Sequence, residues 1–191
     1  AANRQIVGIF AVADVLKPTS KAAVEALRSM HIDVTLLTGD NQKTAQSIAS
    51  ELGVTDVIAE VLPQDKERIV REKQGKGRKV AMIGDGINDA PVLAGADVGA
   101  AMGSGADAAI EAADVVFMNA GLTSIPISVK IARKANIVSK ENIVFALAVK
   151  ILVMILGLFG IASMWLAVFA DTGVAMLCVL NSIRMLYMKT E

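Results

Sequence analysis

Apolar runs of strand length alternate with amphipathic stretches along most of this chain. The runs lie at 6–12, 34–37, 57–61, 79–83, 98–101 and 115–118. A parallel strand that is buried on both faces appears as a continuous apolar run, whereas an amphipathic helix repeats its apolar positions every three or four residues. The alternation therefore predicts an α/β fold, in which a parallel sheet is flanked by helices on both faces.

Capping and turn residues predict where several of these helices begin and end. Ser20 is the expected N-cap of the first helix, and Gly53 is expected to stop the second. Pro63 stands where the third helix should begin, and residues 74–77 have the composition of a loop.

Two of the predicted strands end in polar loops, at the edge where parallel sheets gather their chemistry. Thr-Gly-Asp-Asn follows the second strand at 38–41, and Gly-Asp-Gly-Ile-Asn-Asp-Ala-Pro follows the fourth at 84–91. Asp85 and Asp89 are four residues apart, so a loop that turns into a helix brings both carboxylates to one point. Carboxylates, waters and a phosphate oxygen are ligands that suit Mg²⁺.

A phosphate group can be held by other residues of the same region. Thr38 offers a hydroxyl, the amides after it can form an anion-binding nest, and Lys66 supplies a point charge. Each feature alone has a plainer explanation: a capped turn for either loop, a solvated helix face for the lysine. Together, in this order near strand ends, they favour a phosphoryl-transfer site.

The last third of the chain has a different pattern. Residues 143–161 and 164–186 are apolar segments of near-spanning length, separated by an uncharged turn at 162–163. Basic residues flank the outer ends of this hairpin, which predicts that both ends face the cytoplasm. These residues are Lys130, Arg133, Lys134 and Lys140 before the first segment, and Arg184 and Lys189 at the end of the second.

Two charges, Lys150 and Asp171, interrupt the hairpin between residues 143 and 183. An ionisable group at membrane depth is costly, and the two positions are close enough in level to pair. The pair is either a salt bridge that holds the helices together or a metal site, with Asp171 as ligand and Lys150 as its counterion. Cys178, on nearly the same helix face, is an additional ligand or a packing residue.

Composition narrows the class of protein. Of 191 residues, 54% are apolar, and 19 basic residues balance 19 acidic ones, which argues against a disordered chain and against a nucleic-acid partner. A single cysteine excludes an internal disulfide. Because the chain opens directly on an apolar run without a starting Met, we interpret it as the C-terminal part of a longer protein.

The motifs at 38–41 and 84–91, together with Asp65-Lys66, resemble those of P-type ATPases, members of the haloacid-dehalogenase-like superfamily. Residues 14–18 resemble the family's Asp-x-x-Arg-Pro segment, although Lys17 replaces the arginine and its planar fork. The resemblance implies a Rossmann-type parallel sheet followed by a transmembrane helical hairpin. The implied domains are the C-terminal part of a phosphorylation domain at 1–122, a linker helix at 123–142, two transmembrane helices at 143–187 and a cytoplasmic tail at 188–191.

The resemblance also implies an aspartyl-phosphate cycle that uses ATP and Mg²⁺. The family's Asp-Lys-Thr-Gly-Thr motif, which carries the phosphorylated Asp, does not occur in these 191 residues. We therefore expect this piece to be inactive without the actuator domain, the nucleotide-binding domain and the other membrane helices. By matching motifs, Thr38, Gly39, Asp40 and Lys66 would lie at the phosphorylation site near ATP, Asp85 and Asp89 would hold Mg²⁺, and Asn88 would orient the phosphate.

The hairpin resembles the zinc/cadmium/lead exporters among the heavy-metal ATPases, on Lys150, Asp171-Thr172-Gly173, Asn181 and Arg184. Copper(I) exporters resemble it less, since they carry Met at the position of Asp171, and a carboxylate suits a divalent ion better than Cu⁺. The expected function is ATP-driven export of Zn²⁺, Cd²⁺ or Pb²⁺ by a multi-pass protein of the cell membrane with its soluble domain in the cytoplasm. The alternatives are an exporter of another metal such as Cu⁺, a membrane-anchored phosphatase of the same superfamily, and a truncated product without enzymatic activity.

Overall fold

The computed structural model describes residues 16, 18–118 and 121–187. The chain divides into two units, Ala1–Ile125 and Pro126–Glu191. Helices and strands alternate in the described part of the first unit. They are α1 (Thr19–Ser29), β1 (Thr35–Leu37), α2 (Gln42–Leu52), β2 (Asp56–Ile58), α3 (Pro63–Gly75), β3 (Ala81–Gly84), α4 (Ala90–Gly95), β4 (Val98–Met102), α5 (Asp107–Ala112) and β5 (Val115–Phe117).

The described strands form two parallel sheets. In one, β1 pairs with β2, with Leu36 opposite Val57. In the other, β4 lies between β3 and β5, with Ala100 opposite both Ile83 and Val115. The predicted α/β class is therefore confirmed. The strand predicted at 6–12 lies outside the described residues.

Two predicted element ends are wrong, and both errors have a backbone cause. Ser20 is not an N-cap but lies inside α1, 6% exposed, because the helical backbone already begins at Pro18 (φ −54°). The loop predicted at 74–77 begins later, since α3 continues to Gly75 and the chain turns at Gly77 (φ +76°). Gly53 ends α2 in the left-handed conformation, as predicted.

Each sheet packs against helices through its own apolar cluster. Val24 of α1 and Ala49 of α2 meet Val54, with Leu36 and Val57 of the strands packed against them. In the other sheet, Leu93 of α4, Ala101 of β4 and Ala109 of α5 are all completely buried. Burying a leucine side chain stabilises a fold by about 1.5–3 kcal/mol, so these helices hold the strands that carry the polar loops.

Gly99 of β4 lies under the backbone of α4. A Cβ atom at this position would lie 2.4 Å from the Leu93 carbonyl oxygen and 2.9 Å from its carbonyl carbon. Since the obstacle is backbone rather than a flexible side chain, only glycine allows α4 to approach the sheet this closely.

Asp97 ties the start of β4 to the start of β3. Its carboxylate accepts hydrogen bonds from Lys79 Nζ (2.8 Å), the Val80 amide (3.0 Å) and Gln74 Nε2 (3.2 Å). These donors, with the Lys79 bond foremost, lower the pKa of Asp97 to about 2.

The described part of the second unit consists of two long apolar helical segments. Helix α6 (Ser124–Leu158) has 35 residues, about 52 Å, which exceeds the roughly 20 residues that span a bilayer. The chain turns at Gly160, and Ser163 caps the second segment by accepting a hydrogen bond from the Leu166 amide. That segment, Met164–Tyr187, is also long and apolar enough to cross a membrane.

The second segment is not a uniform helix. It runs through α7 (Met164–Val168), a π turn (Phe169–Gly173), α8 (Val174–Ile183) and a 3₁₀ turn (Arg184–Tyr187). Asp171 occupies the middle of the π turn, and such turns occur frequently at functional sites.

We expect Gly99→Ala to destabilise the β3–β4–β5 sheet by about 1–3 kcal/mol, because the added methyl group must displace backbone. Hydrogen exchange of the β3–β5 amides in the detergent-solubilised chain measures this loss. Gly75→Ala is the matched control, since nothing lies within 4 Å of a Cβ there. Equal protection of the sheet in both variants contradicts the expectation.

The low pKa of Asp97 predicts an acid-dependent contribution to stability. An unfolded aspartate titrates near 3.9, so the ionised folded group stabilises the fold above that pH, and the contribution disappears as pH falls toward 2. Between pH 4 and 2, Asp97→Asn should lose less stability than the unmodified chain. An NMR titration midpoint near 4 for this carboxyl would contradict the assignment.

Candidate functional site

The loop after β1 presents Thr38, Gly39 and Asp40 at the sheet edge. The Thr38 hydroxyl donates to Asp40 Oδ2 (2.9 Å) and accepts from the Asp40 amide (3.1 Å), while Gly39 and Asp40 are exposed. Asn41 then caps α2, its Oδ1 accepting from the Thr44 amide at 2.9 Å. The turn and the cap that the sequence allowed as a plain explanation are both present, and they leave the first three residues at the surface.

Backbone hydrogen bonds attach this loop to the segment that leads into α3. The Val61 amide donates to the Thr38 carbonyl (3.1 Å), and the Glu60 amide donates to the Asp40 carbonyl (2.9 Å). Glu60 takes a left-handed conformation (φ +57°), which ends β2 and turns its chain toward the loop. Two residues after Val61, α3 begins with a proline at its first turn and carries Lys66.

Lys66 reaches from α3 to the loop after β3. Its Nζ lies 2.7 Å from Asp89 Oδ1, and the two side chains are only 17% and 13% exposed. The second oxygen, Asp89 Oδ2, accepts a 3.3 Å hydrogen bond from the Gly86 amide. A Cβ at Gly84 would lie 2.8 Å from both Asp89 Cβ and Oδ2, so the glycine makes room for this carboxylate.

Asp85 and Asn88 lie on the open side of the same loop, where both are exposed. The backbone of Asp85 is held from behind, because the Ala106 amide, at the start of α5, donates to the Asp85 carbonyl at 2.9 Å. This contact was not predicted, although the glycine-rich stretch at 103–105 between β4 and α5 is the signal that a close approach occurs there.

These contacts connect candidate residues on the 38–40 loop, on α3 and on the loop after β3, whereas Lys17 of the 14–18 segment lies outside the described residues. Backbone hydrogen bonds join the 38–40 loop to residues 60 and 61. Helix α3 begins directly after this segment, and its Lys66 is paired with Asp89. The arrangement offers an exposed carboxylate at Asp85, a hydroxyl at Thr38 and a lysine whose charge is already matched by Asp89. Among the described residues, no cluster of three or more His, Cys, Asp or Glu side chains is arranged to hold a metal by itself.

In the second unit, the structure brings together the two charges of the apolar hairpin. Lys150 Nζ of α6 lies 3.0 Å from Asp171 Oδ1 in the π turn. The pairing is as predicted. Cys178 is not part of it: its thiol lies 3.7 Å from the Asn142 carbonyl, nearer the start of the first apolar segment.

A cluster of polar contacts around Asn142 was also not predicted. Its Nδ2 donates to the Cys178 carbonyl (3.1 Å) and to Ser182 Oγ (2.9 Å), and its Oδ1 accepts from Asn181 Nδ2 (2.8 Å). Next to it, Glu141 pairs with Arg184. A side-chain amide at the border of each apolar segment was the available signal.

Known proteins are similar to this chain in sequence and in fold. A family model for haloacid dehalogenase-like hydrolases matches residues 1–97. A cadmium-transporting ATPase of Staphylococcus aureus is 43% identical over 99% of the chain and 26% of its own length. A copper-exporting P-type ATPase of Staphylococcus epidermidis is 44% identical over 99% of the chain and 24% of its own length. The chain thus spans about a quarter of the length of the curated relatives it matches.

A solved structure extends the similarity through both units. The crystal structure of a zinc-transporting PIB-type ATPase in its E2·Pi state matches 91% of the chain with a TM-score of 0.86 and 38% identity, and the match covers 28% of that protein. The family model covers half of the chain, and the full-length relatives and the solved structure are all metal-transporting ATPases. The chain belongs to the haloacid dehalogenase-like hydrolase family, and over nearly its whole length it is similar to metal-transporting P-type ATPases.

Proposed function

We propose that this chain forms part of an ATP-driven exporter of divalent heavy metal, Zn²⁺, Cd²⁺ or Pb²⁺, that works through an aspartyl-phosphate cycle. The observation that carries the proposal is the Lys150–Asp171 pair, 3.0 Å apart inside an apolar hairpin. An exporter of a cation needs an anionic ligand at membrane depth, and a structural anchor does not.

The soluble unit would serve the phosphoryl-transfer half of the cycle. Thr38, Gly39 and Asp40 line the edge at which the phosphoryl group would arrive, and the exposed Asn88 would orient the phosphate. The ammonium group of Lys66 would move from Asp89 to the phosphoryl oxygens, because the carboxylate and the phosphoryl group compete for it. The phosphate-accepting Asp would come from a part of the protein outside these residues, so this chain alone should not turn over ATP.

Mg²⁺ fits the donor set of this edge. The ion takes one or two protein carboxylates and completes its shell with water and phosphate oxygens, so it needs no cluster of three acidic groups. Asp85 offers an exposed carboxylate, and Asp89 contributes a second one whose oxygens already meet Lys66 and the Gly86 amide. The bound ion would neutralise charge on the phosphate. Asp85, with Asp89 close by, would hold it.

The hairpin would serve the transport half. Asp171 would be a hard oxygen ligand for a divalent cation, and Lys150 would match its charge when the cation has left. With basic residues flanking the hairpin, its outer ends would face the cytoplasm, and the cell membrane is the expected location. The remaining metal ligands, the actuator domain and the nucleotide-binding domain would come from the rest of the same protein.

A Cu⁺ exporter is the second candidate, because a copper-exporting relative is as similar in sequence as the cadmium-transporting one. The chemistry of the pair favours a divalent ion, since Cu⁺ prefers thiolate and thioether ligands. In the described part of the second unit, a carboxylate and an ammonium occupy the position in question, and the thiol of Cys178 lies elsewhere.

In the full-length gene product, Asp85→Asn should lower acid-stable phosphoenzyme formed from ATP by at least about 100-fold, because a neutral amide holds Mg²⁺ poorly. Asp33→Asn is the matched control: it precedes β1, at the opposite end from Thr38, and its side chain is 80% exposed. Normal phosphoenzyme in the Asp85 variant would refute the assigned role.

ATP hydrolysis by the full-length protein should be stimulated by Zn²⁺, Cd²⁺ and Pb²⁺ but not by Cu⁺. Asp171→Asn should remove that stimulation, since it replaces the charged ligand with a neutral one of the same shape. Met176→Leu, an exposed position on α8, should leave the stimulation unchanged. If Cu⁺ alone stimulates the unmodified protein, the divalent assignment is wrong. The phosphoryl-transfer site is then tested separately, by phosphoenzyme formation in Asp85→Asn.

A further inference from the structure

Asn142 makes more contacts across the hairpin than either member of the ion pair does. Three hydrogen bonds join its side chain to the second segment, at the Cys178 carbonyl, Asn181 Nδ2 and Ser182 Oγ. The side-chain amide of Asn142 uses its Nδ2 group as a donor to two partners and its Oδ1 atom as an acceptor from a third. Because one partner cannot satisfy all of these groups, the three bonds together define one relative placement of the two segments. The adjacent Glu141–Arg184 pair adds a contact at the same level.

The distances along the two helices match this placement. Lys150 lies eight residues beyond Asn142, a rise of about 12 Å. In the opposite direction along the second segment, Asp171 lies seven residues from Cys178 and eleven from Ser182, about 10 and 16 Å. The rise from Asn142 to Lys150 falls between the two distances from Asp171 to the partners of Asn142. A hairpin held at Asn142 therefore brings the lysine and the carboxylate together.

We propose that Asn142 is a positioning residue that sets the register of the hairpin and thereby places Lys150 against Asp171. The consequence of this register for metal affinity rests on the proposed function, whereas the register itself does not depend on transport. A one-turn slip of α6 moves the Lys150 backbone by about 5.4 Å from its present level opposite Asp171.

The physical need for such a device follows from the rest of the hairpin. Most of its side chains are aliphatic and exposed in the described chain, as Val144, Leu152 and Leu180 are. Apolar surfaces in lipid gain little by choosing one register over another, whereas hydrogen bonds between helices have fixed geometry. The Lys150–Asp171 pair alone does not specify the register, because a long lysine side chain reaches a carboxylate from more than one level.

The register can be measured in the chain itself, without transport. Cys178→Ala removes its single cysteine and keeps the carbonyl that Asn142 contacts, and Lys150→Cys with Asp171→Cys then introduces two thiols. A short bifunctional thiol reagent should cross-link them efficiently in detergent. Adding Asn142→Ala should slow the cross-linking several-fold. Val144→Ala, two residues along the same helix and exposed, is the control that should leave the rate unchanged.

An unchanged cross-linking rate with Asn142→Ala overturns the proposal. If that variant does not fold, Asn181→Ala removes one of the three bonds and should give a smaller slowing, and no slowing there overturns it as well. In the full-length gene product with its native Lys150 and Asp171, Asn142→Ala should raise the half-saturating Zn²⁺ concentration about tenfold, with a smaller change in maximal rate. If the unmodified protein shows no metal stimulation, the proposed function fails while cross-linking still decides the role of Asn142.

Discussion

The ion pair between Lys66 and Asp89 is the contact on which the candidate site of the first unit depends. It joins α3, which follows the segment bonded to the Thr38 loop, to the loop after β3, which carries Asp85. These two loops follow strands of different sheets, so strand pairing alone does not align them. With both side chains less than one-fifth exposed, removal of either partner leaves a buried charge and costs about 3–5 kcal/mol. The same contact therefore aligns the site and gives its lysine an anionic partner.

A lysine and an aspartate also meet in the second unit, but the surroundings give the pair a different character. Lys150 and Asp171 are 55% and 76% exposed in the described chain, whereas Lys66 and Asp89 are largely enclosed. In the first unit, the Gly86 amide of the neighbouring backbone holds the aspartate of the pair. In the hairpin, the pair lies among apolar side chains, and the polar contacts that support it are gathered at Asn142. Each unit thus combines one Lys–Asp ion pair with a separate set of contacts that determines its geometry.

The order of strands and helices was predictable because the pattern of apolar and polar residues within each segment indicates which of its side chains are buried. The pairing of Lys150 with Asp171 was predictable for another reason, since two charges in an apolar hairpin have few partners. The N-cap at Ser20 was wrong because Pro18 already adopts helical dihedrals. The end of β2 depends on the left-handed Glu60, which is stabilised by a hydrogen bond to a distant loop. The Asn142 contacts join residues 36 to 40 positions apart, and sequence periodicity carries no information about such register.

The π turn at Phe169–Gly173 has a consequence for how this helix tolerates changes in length. A single π turn accommodates one residue more than an α-helical turn, so it is the local result of an insertion that the rest of the helix absorbs. Deleting one residue from this turn would allow a continuous α-helix. Because the turn absorbs the extra residue locally, the residues on either side would keep the faces they now occupy, and the backbone around Asp171 is the part that would change. The extra residue in this turn therefore sets the direction in which the carboxylate points, although its removal would change neither the composition nor the hydropathy of the helix noticeably.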